Sequence, residues 1–423
     1  MRAARQRFFY GWNNVAVGFT GMALSYAMFT IFVFGTFVAP LESEFGWQRG
    51  ELSFAYTMTN IGVVLASPLL GFMVDRLGVR RVLLPSLLLM AAAVASMAFL
   101  QGHIWHFYAM YLLIPLLGAG TLPQSYSRVI IAWFSRRRGI ALGVTLAGFG
   151  VGAALVPAFA QYMIEHHGWR MAYLAFAGAI VCIAWPMAYF LLRETPAEMG
   201  LLPDGDEPGG PARADAAAAP PTAAHIGLSG KEAAATRSFW LILMSFLLVG
   251  VGITSILAHL VPMLIGRGVD PETAALCMSS LGLGLIFGRV LAGFLMDRFF
   301  APYVTAVFLL GLVAGIATLA TGTSGYQVFV AAILVGLATG SEIGEIAYIV
   351  SRYFGPRAFA LIYGIMFAAF QVGSAFGPPL MGYYYDRAGN YIGALWAVSG
   401  VVLVGALLIV LLRGYPDLEP ESP

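Results

Sequence analysis

Arg289, Glu342 and Glu345 are ionisable residues set deep in runs of apolar ones. Arg289 lies eight residues before Asp297, and Glu342 and Glu345 lie ten and seven before Arg352. At ~1.5 Å of helix per residue, these are depths of about 12, 15 and 10 Å. A guanidinium there stays charged and presents a planar fork that matches a carboxylate in two parallel hydrogen bonds. Two acids at i and i+3 share a helix face. In low dielectric they cannot both be ionised cheaply, which is how such a protein holds and releases a proton. Arg128, about 12 Å along the helix from Arg136, is the expected partner for one of the acids. An ionisable group buried in hydrocarbon costs about 2.5 to 3.5 kcal/mol on insertion scales and marks a functional site by default. Tyr26, Asn60, Tyr363 and Gln371 fall at comparable depths and can hydrogen-bond a polar solute, although polar residues in such helices also serve as packing glue. His259 reads as a structural histidine near a helix end.

The elements that must carry these groups follow from composition. Of 423 residues, 60% are hydrophobic and 10% charged, against about 25% charged in soluble domains. This excludes an ordinary soluble enzyme and makes a lipid bilayer the solvent. With 23 Lys+Arg against 21 Asp+Glu, no bulk charge favours nucleic acid. Cys182 and Cys277 sit inside apolar runs as small hydrophobes, and no His/Cys cluster has metal-ligand spacing, so neither disulfide, metal nor cofactor is expected. No paired nucleophile and base appears, which argues against an enzyme.

Crossing about 30 Å of hydrocarbon takes about 20 apolar residues in a helix. Spans are expected near 12–38, 52–74, 82–101, 105–133, 139–163 and 170–192, then 239–265, 273–297, 301–321, 326–351, 358–382 and 390–412. The fold class is therefore an all-α membrane protein of twelve transmembrane helices in two six-helix pseudo-repeats, residues 1–192 and 238–423. Residues 193–237, rich in Ala, Pro, Gly and acids, form the linker. Lys231-Glu232 and the alanines that follow would permit a short surface helix near 230–236. Arg2, Arg5 and Arg7 precede an apolar run too long for a cleaved signal segment. Arg76, Arg80, Arg81, Arg136, Arg137, Arg138, Arg193, Arg213, Lys231 and Arg237 fall on the same face as those three. By the positive-inside rule both termini and the linker are cytoplasmic.

The two halves repeat. Gly71-Phe72-Met73-Val74-Asp75-Arg76 recurs as Gly293-Phe294-Leu295-Met296-Asp297-Arg298, and Trp133-Phe134 recurs as Tyr353-Phe354. The repeat places Ser67 opposite Arg289, Leu122 and Ser125 opposite the two acids, and Tyr348 opposite Arg128, so the fold itself does not require these charges. Parallel six-helix repeats place a solute site at their interface near mid-membrane, with rocking giving alternating access.

The string Gly71-x-x-x-Asp75-Arg76-x-Gly78-x-Arg80-Arg81, with its second copy ending in Asp297-Arg298, resembles the signature of the major facilitator superfamily. The resemblance covers the whole chain. It implies a gating motif in which the acid, beside its basic neighbours, pairs across the interface of the halves. A narrower resemblance is to the monocarboxylate porters and their bacterial relatives, which are related to the oxalate/formate antiporters. It rests on Gly11-Trp12, Ser25-Tyr26-Ala27, Pro40-Leu41-x-x-Glu44-Phe45-Gly46-Trp47, Ser351-Arg352-Tyr353-Phe354-Gly355, Tyr363-Gly364 and Gly377-Pro378. By that resemblance Arg289 binds the substrate carboxylate.

The chain departs from the pattern at Thr30 and Leu285, where animal members carry a Lys and an Asp. It departs again at Phe370, where the oxalate/formate antiporters carry a Lys, and this disfavours a dicarboxylate. Val156 before Pro157 leaves the span-five antiporter pattern incomplete. The expected function is a secondary transporter moving a small monocarboxylate by proton-coupled symport, monomeric, in a bacterial inner membrane. Arg128 and Arg289 would balance the two acids. A proton-coupled exporter of amphiphiles and an anion exchanger are the alternatives within transport, and a receptor that keeps the fold without transporting is the alternative outside it.

Overall fold

Apolar runs of this length have one economical solution in hydrocarbon, the helix, because every backbone N–H then finds a carbonyl within its own segment. The computed structural model describes residues 9–205, 227–321 and 325–416, and its regular elements there are all helical. Arg2, Arg5, Arg7, Arg213 and the middle of the linker lie outside the described residues.

The first half contains α1 (Gly11–Ala23), α2 (Phe34–Phe45), α3 (Arg49–Leu77), α4 (Val79–Ser96), α5 (Ile104–Leu117), α6 (Pro123–Trp133), α7 (Arg138–His167), α8 (Trp169–Ala179) and α9 (Trp185–Leu191). A π-helical turn over Ile180–Ala184 joins the last two. The second half contains α10 (Gly230–Ala234), α11 (Arg237–Gly266), α12 (Pro271–Met296), α13 (Ala301–Ala320), α14 (Tyr326–Tyr353), α15 (Phe359–Ala388) and α16 (Ile392–Val410).

Eleven helices among the described residues are long and apolar enough to cross a membrane, and Ile104–Leu117 is a shorter apolar one. That shorter helix is the start of the expected fourth span. The span is broken because Pro123 pushes Leu122 into an extended conformation (φ −64°, ψ 151°) after a 3₁₀ turn at Ala119–Thr121. The chain turns there against α4: a Cβ on Gly120 would come within 2.7 Å of the Ser86 side chain. The first span is likewise interrupted after Ala23, by a π-helical turn at Met28–Phe32, before α2 continues. Both breaks occur where the chain passes the central cavity.

One end of the bundle gathers both described termini and the linker. Phe9 packs on Trp133 and Phe134, and Tyr415 packs on Tyr353 and Phe300. The linker is docked at both of its described ends instead of being wholly solvated. Asp204 accepts hydrogen bonds from the Ser135 and Arg136 backbone amides (3.1 and 2.8 Å). At the other end, the Leu228 amide donates to the Phe354 carbonyl (2.9 Å). Helix α10 forms as Lys231-Glu232 permitted, with Ser229 and Glu232 closing a reciprocal cap. Glu232 also pairs with Arg357. The two docking points, loops 134–137 and 354–358, are the repeat-related loops named by the Trp133/Tyr353 correspondence.

Candidate functional site

The seam between the halves is built from backbone meeting backbone. A Cβ on Gly139 would lie 2.1 Å from the Gly293 carbonyl oxygen, and one on Gly293 would lie 2.2 Å from that of Gly139. The same crossing of α7 and α12 continues at Gly143, which faces the Arg289 carbonyl. Its repeat image joins α3 and α15: Gly71 faces Ala360, and Gly364 faces the Ser67 carbonyl. The glycine contacts therefore obey the same pseudo-twofold relation as the sequence repeat. Arg289 sits at one of the contact points and Ser67 at the equivalent one. In the first half Ser67 hydrogen-bonds Gln124, whose side-chain amide donates back to the Ser67 carbonyl (2.7 Å), so that position is spent on packing.

At the linker end the two signature acids do symmetric work. The Asp75 carboxylate accepts from the amides of Ala360 and Leu361 (3.2 and 2.8 Å), which open α15. The Asp297 carboxylate accepts from the amides of Gly139 and Ile140 (2.6 and 2.9 Å), which open α7. Each acid thus caps the N-terminus of a helix from the other half, where the helix dipole favours an anion. Burial pushes the Asp297 carboxyl above its usual range, while those two backbone hydrogen bonds pull it down. The expected pairing across the interface is made to helix amides and not to the neighbouring arginines. Arg76 lies over Phe72 and Arg298 over Phe294 (4.1 and 3.8 Å to the ring centroids). Gly78 takes φ +88° and lets Glu194 approach, and Glu194 accepts from the Arg80 amide (2.9 Å). The Arg80 guanidinium donates to the Tyr189 carbonyl (2.6 Å). Arg76, Gly78 and Arg80 therefore shape the turn, and the aspartates reach the partner half.

Arg128 corrects one expectation. It forms an ion pair with Asp75 (2.6 Å) and donates to the Pro356 carbonyl (2.8 Å), so it belongs to the linker-end seam and does not pair with Glu342 or Glu345. The physical reason is rotation: on α6 it faces α3 and the loop before α15, not α14.

Beyond the seam lies a central cavity of about 440 Å³ lined by both halves. Tyr26, Asn60, Arg289, Glu342 and Gln371 line it, while Tyr363 is buried just behind its wall and donates to the Ile343 carbonyl (3.4 Å). Arg289 is 4% exposed. Its guanidinium donates to the Leu146 carbonyl and lies 4.8 Å from the Phe149 ring centroid, so two residues of α7 hold it from across the seam. Its Nε has no hydrogen-bond partner among the described residues. Glu342 is the carboxylate whose charge acts on Arg289, and its Oε2 is likewise buried without a partner among the described residues.

Glu345 lies elsewhere. It is 1% exposed, does not line the cavity, and comes up to the hydroxyls of Ser341 and Thr305 without the alignment of a hydrogen bond. One helical step of three residues leaves Glu342 on the cavity and turns Glu345 toward α13. Sequence reasoning passed over Phe149, Phe32, Tyr56 and Phe367, which also line the cavity and carry no charge to advertise them. His259 bridges Tyr391 Oη (3.2 Å) and the Pro378 carbonyl (3.0 Å), a structural role near the end opposite the linker.

The cavity shared by the two repeats thus brings together one buried cation, Arg289, and one buried acid, Glu342. The family model described as Major Facilitator Superfamily matches residues 18–340 and 267–423. Among curated relatives, human Monocarboxylate transporter 11 is 26% identical, the match covering 97% of this chain and 85% of that one. Mouse Monocarboxylate transporter 6 is 27% identical over 89% and 81%. The fold is similar to that of the transporter FucP in an outward conformation (TM-score 0.68, 14% identity, covering 94% of this chain and 99% of that one). It is also similar to that of the human organic anion transporter MFSD10 (TM-score 0.67, 19% identity, 94% and 99%). Whole-chain helical architecture, internal repeat, duplicated signature acids and these matches lead to one conclusion: the chain is an integral membrane transporter that belongs to the major facilitator superfamily and resembles its monocarboxylate porters.

Proposed function

We propose that this protein carries a small monocarboxylate across the membrane by alternating access, coupled to a proton, with the six-helix units 1–192 and 238–423 rocking about the central cavity. The observation that carries the reading is the pairing in one cavity of a buried arginine with an unpartnered Nε and an acid with an unpartnered oxygen. The Arg289 fork is suited to a carboxylate. Because Arg128 is spent on Asp75, the exchangeable charges in the cavity are Arg289 and Glu342. Protonating Glu342 leaves a net positive charge that one monocarboxylate neutralises, so the loaded carrier crosses without net charge.

Tyr26, Asn60 and Gln371 supply polar contacts, and Tyr363 supports the wall near Arg289. Glu345 is a second candidate for the proton, one layer behind the cavity. The linker and both termini are assigned to the cytoplasmic side, by the positive-inside rule. The closed seam there would then correspond to a carrier shut on its cytoplasmic side.

The test is uptake of labelled monocarboxylates into proteoliposomes holding the purified protein, with and without an inward proton gradient. Accumulation driven by the gradient is the expected result. Exchange only against a preloaded anion would replace symport by antiport. Failure of every acid, together with pH-driven extrusion of a cationic dye, would replace the whole reading by that of an amphiphile exporter.

A further inference from the structure

We infer that the acid carried is a mono-anion with a planar aromatic or similarly bulky apolar body, and not a two- or three-carbon acid; this rests on the reading of Arg289 as the carboxylate anchor. The first argument is charge. Arg289 and Glu342 are the only Asp, Glu, Lys or Arg residues lining the cavity among the described residues. A dicarboxylate would leave its second negative charge unpaired in a low-dielectric space once Arg289 is engaged, because the other charged residue of the lining, Glu342, is itself an acid.

The second argument is size. The cavity encloses about 440 Å³, equivalent to about fifteen waters at roughly 30 Å³ each. A three-carbon hydroxy acid, with six non-hydrogen atoms, fills roughly two fifths of that on the same scale. The remainder must be filled by the substrate, by water, or by inward collapse of the walls.

The third argument is the chemistry of the walls. From the first half, Phe149 lies beneath the Arg289 guanidinium and meets Phe32 edge-on (5.3 Å, 84° between planes). From the second half, Phe367 and Phe370 are nearly parallel (16°, centroids 6.3 Å apart). All four line the cavity. Ile253 and Leu257 of α11 extend the apolar wall, and Gln371 and Asn60 are the side-chain amides in it. Water filling this space would face mostly carbon. A flat apolar group, held at its carboxylate end by Arg289, would meet rings from both halves and be expelled from water by the same act that brings the halves together.

The experiment is transport by the full-length protein in proteoliposomes, comparing labelled acetate and lactate with labelled 3-phenylpropionate and phenylpyruvate under one proton gradient. Each acid is also tested as a competitor of the others. The aryl acids are expected to show at least about tenfold higher kcat/KM than lactate, the scale set by filling an apolar pocket with a few extra carbons. In L257W, which fills part of the apolar wall, the ratio of aryl to short-acid transport should fall by a similar factor. Should that variant fail to insert, thermal stabilisation of the detergent-solubilised wild type by 3-phenylpropionate, and its absence with acetate, carries the same discrimination. Efficient lactate or acetate transport that aryl acids do not inhibit would overturn this inference and leave the monocarboxylate reading intact. Transport of no acid at all, with no stabilisation by any, would overturn both.

Discussion

The Arg289 guanidinium rests 4.8 Å from the centroid of the Phe149 ring and donates to the Leu146 carbonyl, so an arginine of the second half is held in place by a helix of the first. Relative motion of α7 and α12 must therefore alter how the fork is presented. A substrate carboxylate on Arg289 would report to the seam directly, without a relay of intermediates.

Replacing Arg289 tests the fork. R289K keeps a charge but loses the planar pair of donors and the flat face that lies on Phe149. Uptake should fall at least about tenfold in R289K, close to the loss in R289A, since each decade corresponds to about 1.4 kcal/mol of binding. Wild-type-like transport by the lysine variant would reduce Arg289 to a generic positive charge.

The two acids should separate. In E342Q, accumulation driven by a proton gradient should disappear and the pH dependence of uptake flatten, while exchange of preloaded for external substrate persists. E345Q, behind the cavity wall, should keep the pH profile and change mainly thermal stability. The opposite pattern, with the profile lost in E345Q and kept in E342Q, would move the proton site to the Ser341 and Thr305 side of α14.

The carboxylate caps at the linker end should hold that end shut. Losing the charge in D75N or D297N should cost about 1 kcal/mol of closure each, a shift of roughly fivefold in the ratio of closed to open populations. Distances between spin labels placed on loops 134–137 and 354–358 would measure it. A double-mutant cycle of D75N with R128A should show coupling, because the two form an ion pair, whereas D297N with R128A should be additive.

The glycine seam allows a sharper version of that test. A methyl at position 139 would fall on the Gly293 carbonyl at 2.1 Å, a main-chain atom that cannot rotate away. G139A should insert and fold normally, lose transport by at least about tenfold, and make cysteines on the linker-side helix ends accessible to a membrane-impermeant thiol reagent. Unchanged transport would mean the crossing is looser than this geometry.

At the other end, Trp169 and Arg170 both donate to the Glu44 carboxylate, the arginine through both terminal nitrogens (2.9 and 2.6 Å). These hydrogen bonds, Arg170 first, hold the Glu44 carboxyl below its usual range. A carboxyl lowered on folding contributes stability above its unfolded pKa and loses it as pH falls through the folded one. The melting temperature should therefore carry a small acid-side decline that E44Q removes. The pair is solvent-exposed, so its size is a few tenths of a kcal/mol.

Much of this arrangement was legible in the residues alone. A charge in an apolar run is conspicuous, so Arg289 and Glu342 announced themselves, and the repeated Gly-x-x-x-Asp-Arg string pointed to Asp75 and Asp297 as equivalent. What escaped was rotation about helix axes. Arg128 turns to Asp75 and not to an acid of α14, and three residues suffice to move Glu345 off the cavity. Close helix crossings at Gly139, Gly143 and Gly364 were invisible for a related reason: among 50 glycines, only packing tells which ones meet a neighbouring backbone. The docking of Asp204 and Leu228 depends on contacts between distant segments, which local composition, read as a solvated linker, does not encode.

The contact of Gly139 with Gly293 adds main chain to the side-chain caps that close the linker end. Exposed side chains hop between rotamers in picoseconds to nanoseconds, whereas whole helices and domains shift in microseconds to milliseconds. A plug of bulky side chains would flicker on the first timescale and admit occasional water files and protons. A plug of abutting peptide groups can be breached only on the second, when the helices themselves part. A leak through that contact is therefore expected to follow the rate at which the helices part, and not the rate of side-chain rotamer hops.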